Sequence, residues 1–167
     1  MADPVRAIII GAGQRGRAYA QYALEYPDAL QIVGVAEPQT YWREHVATTY
    51  AIPEDKVFTT WEDVAKLEKF ADCVIISTQD SMHADPAVAF ADLGYHILLE
   101  KPMAVTKDDC LRIHEATKRN NVLLAVCHVM RCTPYSLKLR ELIQCGAIGK
   151  VVNIQHIEPV GFWHQVN

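Results

Sequence analysis

The stretch Ala7–Gly16, Ala-Ile-Ile-Ile-Gly-Ala-Gly-Gln-Arg-Gly, constrains the fold of this chain more than any other. Its apolar run leaves no place for polar side chains, which is typical of a strand buried on both faces. The run leads into Gly-x-Gly-x-x-Gly and then a helical pattern, and this strand–turn–helix context favours dinucleotide binding over an ordinary glycine turn. Gly11 would permit the tight turn, Gly13 would admit a pyrophosphate close to the backbone, and Gly16 would let the helix pack on the strand.

The helix that follows the glycines is predicted to run from Gln14 to about Tyr26, where Pro27 stops it. Its first backbone N–H groups and the positive end of its dipole would face the phosphates. Gln14 and Arg15 therefore join the three glycines as candidate cofactor-binding residues.

An acidic residue follows the second predicted strand. Leu30–Ala36 ends on Glu37, about 20 residues beyond Gly16, where dinucleotide-binding folds place an acid on the adenosine ribose. Because a carboxylate would repel a 2′-phosphate, we expect NAD as the cofactor, with NADP second. A solvated glutamate before Pro38 is the alternative interpretation, and the nearby Arg43 would soften the discrimination.

Strands and helices alternate along the chain, which predicts an α/β fold with a doubly wound parallel sheet, a Rossmann fold. Right-handed crossovers would put the first strand in the middle of this sheet. The predicted strands are Val5–Ile10, Leu30–Ala36, Val57–Thr59, Cys73–Ser77, His96–Leu99 and Leu123–Cys127, and the predicted helices are Gln14–Tyr26, Gln39–Tyr50, Trp61–Leu67, Asp85–Leu93, Thr106–Arg119 and Pro134–Cys145.

The segment Val151–Ile157 has a different pattern, because apolar and polar residues alternate in it. Alternation is typical of a half-exposed antiparallel sheet, so we expect the first strand of a second, incomplete domain here. The expected organisation is an NAD(P)-binding Rossmann domain over 1–130, a connecting helix over 131–150 and the start of a substrate or dimerisation domain over 151–167. A strand edge left without a sheet would invite pairing with another copy, which would give a homo-oligomer, or disorder.

Polar residues and glycines follow the predicted parallel strands at the points where the strands end. The residues concerned are Gly11, Glu37, Ser77, Glu100 and His128. In an open parallel sheet the carboxyl ends of the strands lie on one edge, and ligands bind in the crevice there. These positions therefore predict one site.

The sequence resembles the Gfo/Idh/MocA oxidoreductase family, named for glucose–fructose oxidoreductase and inositol dehydrogenase. The resemblance is carried by Gly11–Gly16, by Ser77-Thr78 with His83, and by Gly94–Pro102, where Glu-Lys-Pro follows a Gly-x-His-apolar strand. It covers essentially the whole chain. It implies an NAD(P)-dependent oxidoreductase that moves a hydride between nicotinamide and a hydroxyl-bearing carbon of a small molecule, a sugar, inositol or related polyol.

The resemblance implies a catalytic role for Lys101, which would position both cofactor and substrate. A lysine at a strand end beside the nicotinamide can hydrogen-bond the reacting oxygen, and partial burial would ease proton transfer. A surface lysine before Pro102 is the alternative. Glu100 resembles the family residue that meets the nicotinamide ribose, and otherwise it would form an ion pair with Lys101.

The same resemblance places Ser77, Thr78 and His83 along the middle of the cofactor, although these residues could also cap the next helix. His128 is a second candidate catalytic residue, which would contact the substrate or the nicotinamide ribose. A polar residue satisfied within the fold is its alternative role. Two departures from the family pattern, at Gln79-Asp80 and Cys127-His128, fall on the nicotinamide side.

Members of the family continue into a second, mostly antiparallel domain that supplies the substrate pocket, and we expect this chain to carry only its start. A non-catalytic NAD(H)-binding module, or an inactive truncated form, is therefore the alternative function. A methyltransferase with a nucleoside cofactor would share the glycine loop and the ribose acid. It would not account for Glu100-Lys101-Pro102.

Composition excludes several other classes. The chain has 167 residues, of which 50% are hydrophobic and 22% charged, and its net charge is −4. A nucleic-acid or membrane-surface role therefore lacks electrostatic support. The five cysteines contain no C-x-x-C pair and indicate a reduced, cytoplasmic chain. No metal site is expected, because neither of two Cys, His and Glu groups has a recognised ligand spacing: Cys127, His128 and Cys132, and His156, Glu158 and His164.

Overall fold

The computed structural model of the chain describes residues 3–159 and 161. The chain divides into two compact units, one up to His128 and the other from Val129 onward. Among the described residues, the first unit holds the sheet and most of the helices, and the second holds a 3₁₀ turn (Val129–Cys132) and the helix α7 (Pro134–Gln144). The three-part organisation that we expect from the sequence, 1–130, 131–150 and 151–167, stays a prediction.

The first unit is a parallel sheet whose strands lie in the order β3-β2-β1-β4-β5-β6. Every neighbouring pair is parallel, so the predicted doubly wound α/β fold is confirmed, with β1 in the interior. The strands are β1 (Val5–Ile10), β2 (Leu30–Ala36), β3 (Val57–Phe58), β4 (Cys73–Ile76), β5 (His96–Leu99) and β6 (Leu124–Val126). The helices of this unit are α1 (Gln14–Ala20), α2 (Tyr22–Glu25), α3 (Thr40–Thr49), α4 (Trp61–Ala65), α5 (Ala84–Asp92) and α6 (Lys107–Arg119).

Register brings the strand ends level with one another. Ile10, the last residue of β1, pairs with Ala36 on one side and with Ile76 on the other. Ile76 in turn pairs with Leu99, and Leu99 with Val126. The residues that follow these strands therefore share one rim of the sheet.

The centre of the sheet is buried on both faces. Ile8 and Ile10 of β1 belong to one apolar cluster with side chains of α5 and α6, whereas Ala7 and Ile9 belong to another with side chains of α1, α2 and α3. All four of these β1 residues are at most 1% exposed. Because successive strand residues point to opposite faces, a strand covered by helices on both sides needs an unbroken apolar run.

The first helix departs from the prediction. A single helix was expected from Gln14 to about Tyr26, but the structure has α1 and then the short α2. At the break, the Gln21 N–H donates to the Arg17 carbonyl oxygen, and the Leu24 N–H donates to the Gln21 carbonyl oxygen three residues before it. A bond over three residues tightens the turn and interrupts the α-helical pattern.

The predicted strand over Val151–Ile157 is wrong. Residues 151–159 have no regular secondary structure, and Val152, Ile154 and Ile157 are exposed. A strand gains its hydrogen bonds and its covered face from a neighbouring strand, and none pairs with this segment among the residues described. Alternation therefore did not suffice to form a strand, and the association of copies through this segment stays a prediction.

Candidate functional site

The candidate site is a row of residues along the rim formed by the carboxyl ends of the strands. Given the strand order, the row runs through Glu37, Gly11, Ser77, Glu100 and His128. Adjacent strands lie about 4.8 Å apart, so these positions span about 19 Å. The structure thus brings together all the strand-end residues that the sequence predicts to converge. A row of this length suits an extended ligand whose parts differ in chemistry.

The glycine turn lies near the middle of this row. Gly11 has φ +88°, and a Cβ on it would lie 2.8 Å from the Ser77 carbonyl oxygen. A Cβ on Gly16 would lie only 2.0 Å from the Gly11 carbonyl oxygen, because α1 packs directly on the turn. A Cβ on Gly13, by contrast, would meet nothing within 4 Å. Two of the glycines are therefore needed for packing, and the third leaves open space beside the backbone.

Glu37 is buried at one end of the row and is bound to the glycine turn. Its Oε2 accepts a hydrogen bond from the Ala12 N–H at 2.7 Å, and its Oε1 accepts one from the Gln39 N–H at 2.9 Å. Arg43 does not pair with this carboxylate but donates from Nη1 to the carbonyl oxygens of Glu37 and Pro38. The negative charge of Glu37 therefore stays at the rim without a cationic side-chain partner among the residues described.

Ser77, Thr78 and His83 join the loops that follow β4 and β5. His83 is fully buried, with Nδ1 2.7 Å from the Pro102 carbonyl oxygen and Nε2 3.2 Å from that of Thr78. The Thr78 hydroxyl donates to the Met82 carbonyl oxygen, and α5 has no side-chain cap. The alternative role as helix caps is therefore wrong. His83 holds two rim loops together, and its predicted cofactor contact stays a prediction.

Glu100 is the most heavily bonded side chain of the rim. Its Oε1 accepts from Arg15 Nε at 2.6 Å and from the Tyr19 hydroxyl at 2.8 Å, while its Oε2 accepts from the Lys101 N–H. The ion-pair partner of Glu100 is thus Arg15 (with 45% of its side chain exposed), and not the Lys101 ammonium of our alternative. Arg15 therefore connects the glycine turn with the end of β5.

The charges of this cluster stabilise one another. Burial by itself would raise the pKa of Glu100, but hydrogen bonds from Arg15, Tyr19 and the Lys101 N–H outweigh burial and lower it. The hydrogen bond to Glu100 raises the pKa of Arg15. Burial, followed by its contacts with Cys127 and Glu100, raises the pKa of Tyr19. Glu100 is therefore an anion and Tyr19 a neutral donor at physiological pH.

Lys101 and His128 lie at the opposite end of the row from Glu37. Both side chains are exposed, and neither makes a hydrogen bond or an ion pair with the described residues. Lys101 belongs to the exposed residues of the described part of the chain, so the partial burial that we expected for it stays a prediction. Gln14 is likewise exposed beside the glycine turn. These side chains are free to turn toward a ligand.

Sequence reasoning missed Tyr19 as a site residue. Arg15 and Tyr19 are four residues apart in the first helix, and this spacing places them on the same helix face. Their spacing could have indicated a pair, and Arg15 Nη2 does lie 2.5 Å from the Tyr19 hydroxyl. Nothing in the sequence indicates that the pair meets Glu100.

The described residues form neither a metal-binding cluster nor a membrane-spanning helix. No group of three or more His, Cys, Asp or Glu side chains there is arranged to hold a metal ion. His164, which belongs to one of the two groups considered above, lies outside the described part of the chain. None of the described helices combines the length and apolarity that crossing a bilayer would require.

The residues of the rim fit a dinucleotide. The open space at Gly13 can admit a pyrophosphate, and the Ser77 hydroxyl is buried with no hydrogen-bond partner among the residues described. The Glu37 carboxylate can accept hydrogen bonds from ribose hydroxyls at one end of the row. Fold and rim together define a dinucleotide-binding Rossmann domain.

Comparison with known proteins identifies the family. The Gfo/Idh/MocA family, described as an oxidoreductase family with an NAD-binding Rossmann fold, matches residues 5–128. The chain belongs to this family, as the sequence motifs imply.

Relatives and solved structures agree with this assignment. The chain is 28% identical over 147 residues to inositol 2-dehydrogenase from Salmonella typhimurium, which covers 87% of this chain and 43% of that protein. It is 34% identical over 82 residues to levoglucosan dehydrogenase from Pseudarthrobacter phenanthrenivorans, covering 49% of this chain and 21% of that protein. The WlbA dehydrogenase from Bordetella pertussis, solved with NADH and UDP-GlcNAcA, matches with a TM-score of 0.81 at 20% identity over 90% of this chain and 42% of that one, which shows a shared fold. The chain thus spans about two fifths of the length of inositol 2-dehydrogenase and of the WlbA dehydrogenase.

Proposed function

We propose that this chain is the cofactor-binding part of an NAD-dependent dehydrogenase acting on a hydroxyl-bearing carbon of a sugar, inositol or related polyol. The observation that carries the proposal is the row of rim residues, with an anionic Glu37 at one end and Lys101 at the other. The names of the relatives, inositol 2-dehydrogenase and levoglucosan dehydrogenase, support the substrate class. The five free cysteines fit a reducing compartment, and we propose the cytoplasm.

The preference for NAD over NADP follows from charge. Glu37 is anionic and meets no cationic side chain among the described residues, so a 2′-phosphate placed near it would be repelled. Arg43 would soften this repulsion, because its guanidinium lies beside Glu37, with Nη1 on the Glu37 and Pro38 carbonyl oxygens. We therefore expect NADH to bind more tightly than NADPH.

At the other end of the row, residues of this chain would transfer a proton and orient the nicotinamide. Bound NAD would supply hydride exchange at its nicotinamide carbon. Lys101 Nζ would hydrogen-bond the reacting oxygen of the substrate and pass a proton to or from it. Glu100 would accept a hydrogen bond from a ribose hydroxyl and so orient the nicotinamide. His128 would contact the ribose or the substrate.

A second candidate function, a non-catalytic NAD(H)-binding module, is favoured by the exposure of Lys101. A dehydrogenase site works best when water is excluded and the substrate is enclosed. Lys101 is exposed in the described part of the chain. The chain could therefore bind the cofactor without turning a substrate over.

Calorimetry and turnover together test both functions. The 167-residue chain is titrated with NADH and NADPH, and NAD reduction is followed with a panel of polyols and sugars. Turnover that is lost in Lys101→Ala but kept in Lys118→Ala supports the dehydrogenase. Lys118 is a matched control because it is exposed near the end of α6, which leads back to the opposite edge of the sheet. NADH binding with no turnover supports the module, and no binding of either dinucleotide refutes both.

A further inference from the structure

Three donors converge on the Glu100 carboxylate, and two of them come from one face of α1. Arg15 Nε and the Tyr19 hydroxyl both donate to Oε1, at 2.6 and 2.8 Å, while the Lys101 N–H donates to Oε2. The Glu100 side chain is only 7% exposed, so water contributes little to satisfying it. The carboxylate is thus held by the protein on both oxygens.

The direction of each hydrogen bond in this cluster is determined. Arg15 has only donors, so at the 2.5 Å contact its Nη2 donates to the Tyr19 hydroxyl oxygen. The single hydroxyl hydrogen of Tyr19 has two possible acceptors, Glu100 Oε1 at 2.8 Å and the Cys127 sulfur, and the charged carboxylate is the stronger of the two. Tyr19 thus accepts a hydrogen bond from Arg15 and donates one to the Glu100 carboxylate.

The donors around Glu100 occupy most, but not all, of the hydrogen-bond acceptor sites of its carboxylate. Each oxygen of an ionised carboxylate offers about two acceptor sites. Arg15 and Tyr19 use both sites of Oε1, whereas the Lys101 N–H uses one site of Oε2. Glu100 therefore offers one free acceptor, on Oε2.

We infer that Tyr19 is a positioning residue, which with Arg15 saturates Glu100 Oε1 and so directs the nicotinamide-ribose hydroxyl to Oε2. The inference rests on the proposed function, because it takes Glu100 as the residue that meets this ribose. Tyr19 itself touches neither the ribose nor the substrate in this arrangement. Tyr19 instead holds the Glu100 carboxylate in one rotamer with one open acceptor site. Binding of the ribose then costs less conformational entropy.

The substitution Tyr19→Phe tests this role, because it keeps the ring and removes the hydroxyl. Tyr22→Phe is the matched control, since Tyr22 lies in the adjacent α2, is 50% exposed and has no hydroxyl hydrogen bond among the residues described. Both variants and the unsubstituted chain are titrated with NADH and with ADP, which lacks the nicotinamide ribose. We expect Tyr19→Phe to bind NADH about tenfold more weakly, about 1.4 kcal/mol, and to bind ADP within about twofold of the unsubstituted chain.

A pH profile separates positioning from loss of fold. Glu100 faces the charged or titratable groups of Arg15 and Tyr19 from α1, Cys127 after β6 and its neighbour Lys101. Without the Tyr19 hydroxyl, the pKa of Glu100 should rise, so NADH affinity should begin to fall at a higher pH in Tyr19→Phe than in Tyr22→Phe. Thermal unfolding of the variants checks that the fold is kept.

The outcomes distinguish this inference from the proposed function. No NADH binding by the unsubstituted chain refutes the proposed function and the inference with it. NADH binding by the unsubstituted chain that is unchanged in Tyr19→Phe refutes the inference alone. Equal loss of NADH and ADP affinity also refutes it, because the damage would then lie in the glycine turn that both ligands use. A selective loss of NADH affinity with the shifted pH profile supports it.

Discussion

Gly16→Ala and Gly13→Ala add the same methyl group to one turn and should have opposite consequences. At Gly16 the new Cβ would lie 2.0 Å from the Gly11 carbonyl oxygen, whereas real Cβ atoms essentially never come closer than 3.0 Å to such an atom. The first turn of α1 must therefore move by about 1 Å away from backbone that cannot rotate aside. Overpacking against such a rigid neighbour costs about 3 kcal/mol, at the upper end of its usual range.

The helix propensity of alanine offsets part of this cost. Replacing glycine by alanine within a helix stabilises it by about 1 kcal/mol, so the net loss for Gly16→Ala is about 2 kcal/mol. For a chain of this size, a loss of about 2 kcal/mol lowers the melting temperature by about 4–8 °C. The steric term decides the sign, because it exceeds the propensity term.

Gly13→Ala should leave the fold intact and weaken cofactor binding. Gly13 has φ −64° and ψ −167°, which alanine adopts readily, and its Cβ would meet nothing within 4 Å. The free energy of unfolding should stay constant or rise by about 0.4–1 kcal/mol, because alanine lowers the conformational entropy of the unfolded chain. The methyl group would occupy the space proposed for the pyrophosphate, so we expect NADH affinity to fall by at least about tenfold.

Thermal unfolding and NADH calorimetry on both variants provide the assay, and each variant controls for the other. Gly16→Ala melting at the temperature of the unsubstituted chain would show that α1 does not pack on the turn as described. Gly13→Ala binding NADH with full affinity would show that the pyrophosphate does not use this space. Either result refutes the corresponding part of the reasoning.

Three further predictions concern buried charges and hydrogen bonds. In Glu37→Ser, loss of the carboxylate should narrow the preference for NADH over NADPH by at least about tenfold, and paired titrations that show an unchanged ratio would contradict this. His83→Leu should destabilise the fold by about 2 kcal/mol in urea unfolding, because a carbonyl oxygen that accepts from the buried ring, that of Pro102 or of Thr78, loses its donor; a change under about 1 kcal/mol would argue against this. Because the folded pKa of Glu100 lies below its ordinary value of 4.5, its contribution to stability is present above that pH and is lost as pH falls through the folded value. The difference in free energy of unfolding between the unsubstituted chain and Glu100→Gln should therefore shrink as pH falls from about 6 to about 3. A difference that stays constant over this range would refute the prediction.

Much of the fold was predictable because buried strands carry their own signal. Leu30–Ala36 and His96–Leu99 were predicted with the bounds that the structure has. The inner residues of these strands are covered on both faces, so a nearly continuous apolar run indicates each strand. The convergence of strand-end residues also followed from topology alone, since parallel strands bring all their carboxyl ends to one edge.

Where a segment depends on its neighbours, the pattern was insufficient. Val151–Ile157 alternates as a half-exposed strand does, yet it has no regular structure among the described residues. Alternation states which face would be covered if a sheet were present, but the hydrogen bonds must come from a partner strand. The break at Gln21 in the first helix escaped prediction for a related reason, because a tightened turn leaves the apolar spacing unchanged.

The sequence by itself determined the doubly wound sheet, the glycine turn and the set of residues on the rim, because each follows from local pattern and strand order. Only the tertiary structure decided which of those residues bond to one another. Arg15 and Tyr19 meet Glu100 across 85 and 81 residues of chain, and His83 bridges two loop carbonyl groups. Hydrogen bonds require atoms within about 3 Å of each other, and the packing of helix on sheet, which no local pattern encodes, sets those distances.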